Sequence, residues 1–374
     1  AEMGVGMART SFDPDWGPRA IAAGREHTCA LLFGGDFVCW GNSNQGQLGA
    51  GDTLPYGDGT AEMGSDLPVV DVGGVVVSFS VGVYHTCVLL LTDQVKCWGD
   101  PGQGRSGYGD AIVRGSAANQ MGGFLPAVDV GSGTPTALSA GDGHSCVLFS
   151  DGSVKCWGNN GEGQLGVGDT DNRGDAPDEM GANLTAVDLG GSAVVKLSGS
   201  YHHTCAILAD DSLKCWGRNE RGCLGTGDQV HRGNVANQMG SNLTAVDLDG
   251  KTPVSVCTGN AHTCVIFGGA NAGTLSCWGQ NDDGRLGFDS AGADQFAMGA
   301  SLPVVNLGAG KLAKSVSCGG FFTCVVLDDD TMKCFGDNQF GLLGRDITDA
   351  SVADVSLLAP IDLSGTIIPC VADY

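Results

Sequence analysis

Short apolar runs of four to six residues, rich in β-branched side chains, recur along this chain in pairs around a polar turn. In the clearest copy, Gly141 to Asp169, the runs CVLF and SVKC flank Ser150, Asp151 and Gly152. That pattern predicts a β-hairpin. With Gly152 in a left-handed conformation, the three-residue loop sets residue 149 opposite 153, and hence Cys146 opposite Cys156. Directly opposed residues share a sheet face at α-carbon separations of about 4.5 to 5.5 Å, which a disulfide can span. The unit occurs six times. Its first cysteine is Cys29, Cys87, Cys146, Cys205, Cys264 and Cys324, at successive offsets of 58, 59, 59, 59 and 60, and its second is Cys39, Cys97, Cys156, Cys215, Cys277 and Cys334. Pairing within each repeat is expected, and closing such a short loop stabilises by about 3 kcal/mol in the chain-entropy model.

An even period over a whole chain marks a repeat architecture. Each repeat has one order: a short strand (VVVSFS, VVKLS), a glycine turn, the cysteine hairpin, the loop W-G-x-N-x-x-G-x-L-G, a polar excursion ending in Met-Gly, and a final strand such as LPVVDV. Four antiparallel strands per repeat predict an all-β fold, a β-propeller of four-stranded blades. Six repeats span residues 19–363. Residues 1–18 open with AEMG, which returns at Ala61–Gly64, and so read as a half-repeat or closing segment; residues 364–374 read as a closing strand. The two ends either complete a seventh blade or exchange between molecules.

Of the 374 residues, 42 are acidic and 19 basic, a net charge of −23 that repels phosphate backbones and argues against nucleic-acid binding. Sixteen cysteines, twelve of them in register, imply an oxidising compartment and a secreted or cell-surface chain. The sequons at Asn183 and Asn242 stand at equivalent places in neighbouring repeats and suit a glycoprotein. The uncharged stretch from Val72 to Leu91 has the length of a membrane span, but the matching part of repeat four carries Lys196 and reads as two strands. No membrane span is expected.

The strings G-x-x-H-T-C and V-K-C-W-G-x-N-x-x-G-Q-L-G-x-G-D resemble the repeat of the regulator of chromosome condensation family, from about Arg19 to Leu363. The resemblance implies a propeller, typically of seven blades, where six hairpins can be counted here. Family members serve as exchange factors, photoreceptors, protein inhibitors and scaffolds, so the fold leaves function open. The paired cysteines look like those of an extracellular branch. Photoreception in the family depends on a Gly-Trp-Arg-His-Thr motif; here Glu26, Tyr84, Gly143, His202 or Ala261 precedes the histidine, which does not support it.

Trp40, Trp98, Trp157, Trp216 and Trp278, with Phe335 in repeat six, follow the second cysteine and point to the opposite face, where packing between blades is expected. His27, His85, His144, His203 and His262 share a face with the cysteines and suggest a His-Cys-Cys zinc set, but Phe322 replaces histidine in repeat six while both cysteines stay. A structural imidazole bonded to nearby backbone fits better. Aspartates recur after the Leu-Gly turn, as Asp52, Asp110, Asp169, Asp228 and Asp346, and read as turn-closing acceptors. Around repeat three, Asp169, Asp171, Asp175, Asp178 and Glu179 form a calcium candidate, although Arg173 interrupts the ligand pattern. Cys223, Cys257, Cys318 and Cys370 stand outside the pattern; Cys223 with Cys257, and Cys318 with Cys370, are the candidate pairs within the chain, and cross-links between subunits are the alternative. No catalytic constellation and no cofactor emerges. The expected role is a secreted, non-enzymatic structural or adhesive building block that binds a protein partner or itself, in a filament or layer. A secreted inhibitor or ligand-binding propeller is the alternative, and a nucleotide-exchange factor the third.

Overall fold

The computed structural model describes residues 17–59, 62–288, 294–339, 343, 351–352 and 355–361. Each repeat forms an antiparallel sheet whose strands follow chain order. In repeat three these are Pro135–Ala140, His144–Phe149 and Val154–Gly158. The hairpin turn follows from its residues. Gly152 sits at φ 79°, Phe149 N–H donates to Ser153 O at 2.9 Å, and Cys146 faces Cys156. Asp93, Asp211 and Asp330 take the left-handed place in other hairpins, at φ 61°, 63° and 62°, as a short polar side chain tolerates.

Disulfides join Cys29–Cys39, Cys87–Cys97, Cys146–Cys156, Cys205–Cys215, Cys264–Cys277 and Cys324–Cys334, each with α-carbons 4.1 Å apart. That is closer than the 4.5 to 5.5 Å expected, because these pairs occupy the pinched, non-hydrogen-bonded positions of the ladder. In repeat two the outward main chain of Cys97 is met by a side chain instead, Tyr108 Oη lying 3.2 Å from its N and 3.0 Å from its O.

The expectation of four strands per repeat is corrected. Among the described residues five sheets have three strands, and the sixth gains a two-residue strand, Ser351–Val352. Elsewhere the fourth position is shared by two separate pieces of the excursion. One makes a single bridge to the W-G glycine, as Gly99 with Arg114; the other makes a bridge near the start of the third strand in repeats one to three, as Val95 with Val128, and a single main-chain hydrogen bond there in repeats four and five. Between them the chain departs to build a cap, so no ladder can grow. The W-G glycine is required by geometry. Gly99 has φ 105°, and a β-carbon there would collide with the carbonyl of Tyr84.

The described chain forms two compact units, one from residues 17–188 with 234–236, the other from 189–233 and 237–361. The first holds repeats one to three. Its cores lie between consecutive sheets: Phe37, Leu48, Val70 and Leu31 of repeat one pack with Val88, Leu90 and Trp98 of repeat two, and Leu89, Val95 and Val128 pack with Val147, Phe149 and Trp157. The second holds repeats four to six and repeats the scheme, with Trp278 against Ile207, Leu213 and Leu224, and Phe335 against Ile266, Leu275 and Leu286. Middle strands such as His85–Leu90 are buried on both faces. No described helix is long and apolar enough to cross a membrane. Apart from residues 17 and 18, the terminal segments 1–18 and 364–374 lie outside the described residues.

Candidate interaction surface

Two sets of polar residues organise each repeat, one facing the next repeat and one facing solvent. In the inward set, His27 Nε2 lies 2.9 Å from Thr86 Oγ1 of the following repeat, and Thr86 donates its single proton to Gln47 O at 2.9 Å. The hydroxyl can therefore only accept from the ring, so His27 carries its proton on Nε2. Trp98 Nε1 donates to the same carbonyl at 3.0 Å. The motif returns as His85, Ser145, Trp157 and the carbonyl of Arg105, and as His203, Thr263, Trp278 and the carbonyl of Cys223. His262, Thr323 and the carbonyl of Arg285 continue it. Burial pushes His27 down to about 4 and holds His85 and His262 well below the ordinary imidazole value, with nearby Arg105 and Arg285 adding to it. The rings are neutral struts. Their partner is a hydroxyl of the neighbouring repeat, not the nearby backbone.

Lysines complete the inward set and carried no signal in the sequence beyond their recurrence. Lys96 Nζ donates to the carbonyls of Val72 and Gly122 at 2.9 and 3.0 Å, tying the end of one repeat to the Met-Gly turn of the next. Lys155 and Lys214 do the same, and Lys333 bonds the carbonyls of Leu307 and Val355.

The outward set is the polar excursion. In repeat two Arg114 grips Asp110 through two parallel bonds of 2.9 and 2.8 Å, and Ile112 N–H donates to the same carboxylate at 3.0 Å. The Arg114 bond holds Asp110 below the usual carboxylate range. Arg173 with Asp169 and Arg232 with Asp228 repeat the brace at 2.6 Å, and Tyr56 with Asp52 replaces it in repeat one at 3.0 Å. A second brace follows. Glu62, Gln120, Glu179 and Gln238, each just before Met-Gly, turn a side-chain oxygen onto backbone N–H groups, Glu179 collecting those of Gly174, Asp175 and Ala176 at 2.9 to 3.1 Å. On these braced tips Leu54, Ile112 and Val230 stand 61%, 56% and 55% exposed at one register. Large apolar groups held rigidly in solvent suit contact with another surface.

The remaining candidates fall into place around these sets. At the calcium candidate, Asp169 accepts from Arg173, Asn160 and the N–H of Asp171, and Glu179 from three N–H groups. These carboxylates face donors within their own loop. The His-Cys-Cys set fails, since its sulfurs are in disulfides and the Nε2 of His27, His85, His203 and His262 is committed to hydroxyls. Trp98, Trp157, Trp216 and Trp278 are fully buried. Asn183 and Asn242 are exposed at the ends of one-turn 3-10 helices, each amide donating to a carbonyl five residues back. The extra cysteines pair differently from expectation. Cys257 bonds Cys318, whereas Cys223 is a buried free thiol pushed up to about 12 by burial, its Sγ 3.1 Å from Arg218 O. Asp346 and Cys370 lie outside the described residues.

Antiparallel sheets repeated with the core between them define a β-propeller fold. Models described as the regulator of chromosome condensation (RCC1) repeat match residues 19–47, 76–105, 136–164, 194–223 and 313–342, and also 151–207. RCC1 repeats are therefore present over these residues. Among curated relatives it is 28% identical to the ultraviolet-B receptor UVR8 of Arabidopsis thaliana over 326 residues, covering 87% of this chain and 66% of the receptor. It is 26% identical to the human E3 ubiquitin-protein ligase HERC2 over 312 residues, covering 81% of this chain but 6% of the ligase. The chain thus spans less than two thirds of either relative's length. Human WBSCR16 superposes with a TM-score of 0.69 at 18% identity, over 95% of this chain and 84% of that one. Yeast RCC1 (Prp20), in its structure with Kap60, gives 0.70 at 19%, over 92% and 74%. These likenesses concern the fold.

Proposed function

We propose that this chain is a non-enzymatic, extracellular interaction propeller that associates with copies of itself as a structural building block. The observation that carries the reading is an apolar tip that recurs at one register of the excursion, Leu54 and Ile112 in one unit and Val230 in the other, each exposed on a loop already fixed by a carboxylate brace. Loops ordered beforehand lose little entropy on contact, so modest apolar area can give useful affinity. Seven disulfides among the described residues support an oxidising location, and the exposed amides of Asn183 and Asn242 are open to glycosylation there.

The net charge of −23 gives the test its direction. Copies that meet through apolar tips must overcome mutual repulsion, so added salt should strengthen their association. Light scattering with negative-stain imaging, run over a range of protein and salt concentrations, should show assemblies that grow with salt and vanish in the triple variant L54D/I112D/V230D. A monomer under all conditions, or assemblies unchanged in the variant, would refute the reading.

A further inference from the structure

Repeat five holds a row of sulfurs that no other described repeat has. Its strands are Pro253–Thr258, His262–Phe267 and Leu275–Gly279. Cys257 is directly opposite Cys264, and Cys264 is directly opposite Cys277. Cys264 bonds Cys277, while Cys257 reaches into repeat six and bonds Cys318 across an α-carbon distance of 5.5 Å. The sulfurs of Cys257, Cys264 and Cys318 all lie within 4.8 Å of one another. All of them are in disulfides, so the cluster offers no thiolate to a metal ion. Its chemistry is exchange.

The place of this bond in the fold is informative. Ser80 and Ser198 occupy the position of Cys257 in their own repeats, each opposite a first hairpin cysteine. There Ser80 Oγ accepts the N–H of Ala140 at 2.8 Å, and Ser198 Oγ accepts that of Thr258 at 3.1 Å, each from the following repeat. Repeat five has replaced a hydrogen bond between first strands by a covalent one. Accessibility is graded along the row: Cys318 is half-buried and Cys257 is 8% exposed, whereas Cys264 and Cys277 are wholly buried.

We propose that these four cysteines form a disulfide relay that opens the link between repeats five and six under reduction. A dithiol reductant attacks the more accessible Cys257–Cys318 bond. That bond breaks, the dithiol is oxidised to its own disulfide, and two electrons and two protons leave Cys257 and Cys318 as thiols. The Cys257 thiolate then attacks Cys264 Sγ, which forms Cys257–Cys264 and expels Cys277 as the thiolate that takes up the proton Cys257 gave up. This second step exchanges one S–S bond for another and needs no further reductant. Its product is again a cross-strand pair in register. The outcome is a switch from a bond between repeats to a bond within repeat five.

The test is graded reduction of the native full chain with dithiothreitol, followed by acid quenching, unfolding, thiol labelling and non-reduced peptide mapping. Cys318 should become free at about tenfold less reductant than cysteines of the other hairpins. Cys277 should be freed with it, and a Cys257–Cys264 linked peptide should appear. Cys223, free throughout, serves as the constant reference. Opening of all hairpin bonds at the same reductant concentration would overturn the accessibility argument. Joint freeing of Cys257 and Cys318 without the linked peptide would overturn the relay. The variant C277S supplies a reading without reductant: if the relay operates, Cys264 takes Cys257 and leaves Cys318 free, and an intact Cys257–Cys318 bond beside a free Cys264 thiol would count against it.

Discussion

The hairpin set and the excursions of one repeat use the same kinds of groups to opposite ends. In the hairpin set the bonds cross between neighbouring repeats: His27 to Thr86, Trp98 to the carbonyl of Gln47, Lys96 to that of Val72. In the excursions the bonds close within five residues, as Arg114 with Asp110 and Glu179 with Gly174. The first set makes neighbouring repeats depend on one another, as in any array stabilised through its interfaces. The second set closes its side-chain braces on itself, and its main chain makes single bonds to the repeat before, as Gly115 O with Gly51 N and Gly174 O with Gly109 N. The side chains at the tip of an excursion can therefore change with little loosening of the array, which is the arrangement a binding surface on a repeat scaffold requires.

Substitutions that cut the long-range bonds should cost most. Trp98→Ala empties a fully buried site between repeats one and two and should lower unfolding free energy in urea by about 3 to 5 kcal/mol. A loss under about 1 kcal/mol would mean that the interface is not held by its aromatic. Removing one hairpin bond through C146A/C156A should cost about 3 kcal/mol, read in the same way against the oxidised parent. The histidine struts predict a comparable acid effect. Their folded values lie below the unfolded value of about 6.5, so the unfolded chain binds more protons as pH falls. Their contribution is intact above pH 6.5 and declines on the way to about 4, where His27 alone accounts for about 3 kcal/mol. His27→Gln should flatten that part of the stability profile; an unchanged profile would assign the acid loss to carboxylates. The short-range set should respond least. Arg114→Ala, which breaks a partly exposed pair, should cost about 1 kcal/mol or less and leave the neighbouring repeats unaffected.

The same division explains how much of the molecule could be read from its sequence. The hairpin is a local structure, and the turn residues at 150–152 with the apolar runs beside them were enough to place Cys146 opposite Cys156. The period carried this to every repeat. Contacts across repeats left weaker traces. Cys257 and Cys318 are 61 residues apart, close to one period, yet adjacent strands can bond only if their side chains face, and the spacing of four odd cysteines did not reveal that. The hydroxyl partner of each histidine was hidden in the unremarked Thr or Ser of H-T-C and H-S-C. Within the excursions the partners were hidden for another reason. A cluster of carboxylates has the composition of a cation site, and only the backbone path shows that Glu179 faces three N–H groups. The missing fourth strand belongs here too, because residues fit for a strand, such as Val128, make one bridge and then turn away at the Asp129 turn.

The histidine–hydroxyl junctions described between repeats each end on a main-chain oxygen, that of Gln47, Arg105, Cys223 or Arg285. An amide, a guanidinium and a thiol thus serve equally at one site, since the junction never consults the side chain. Position 223 is consequently a slot for a reporter. A label or an unnatural residue that fits the space of Cys223 would sit at the joint between repeats four and five, with the indole of Trp278 bonded to the carbonyl of the same residue, and would report the state of that joint without altering its wiring.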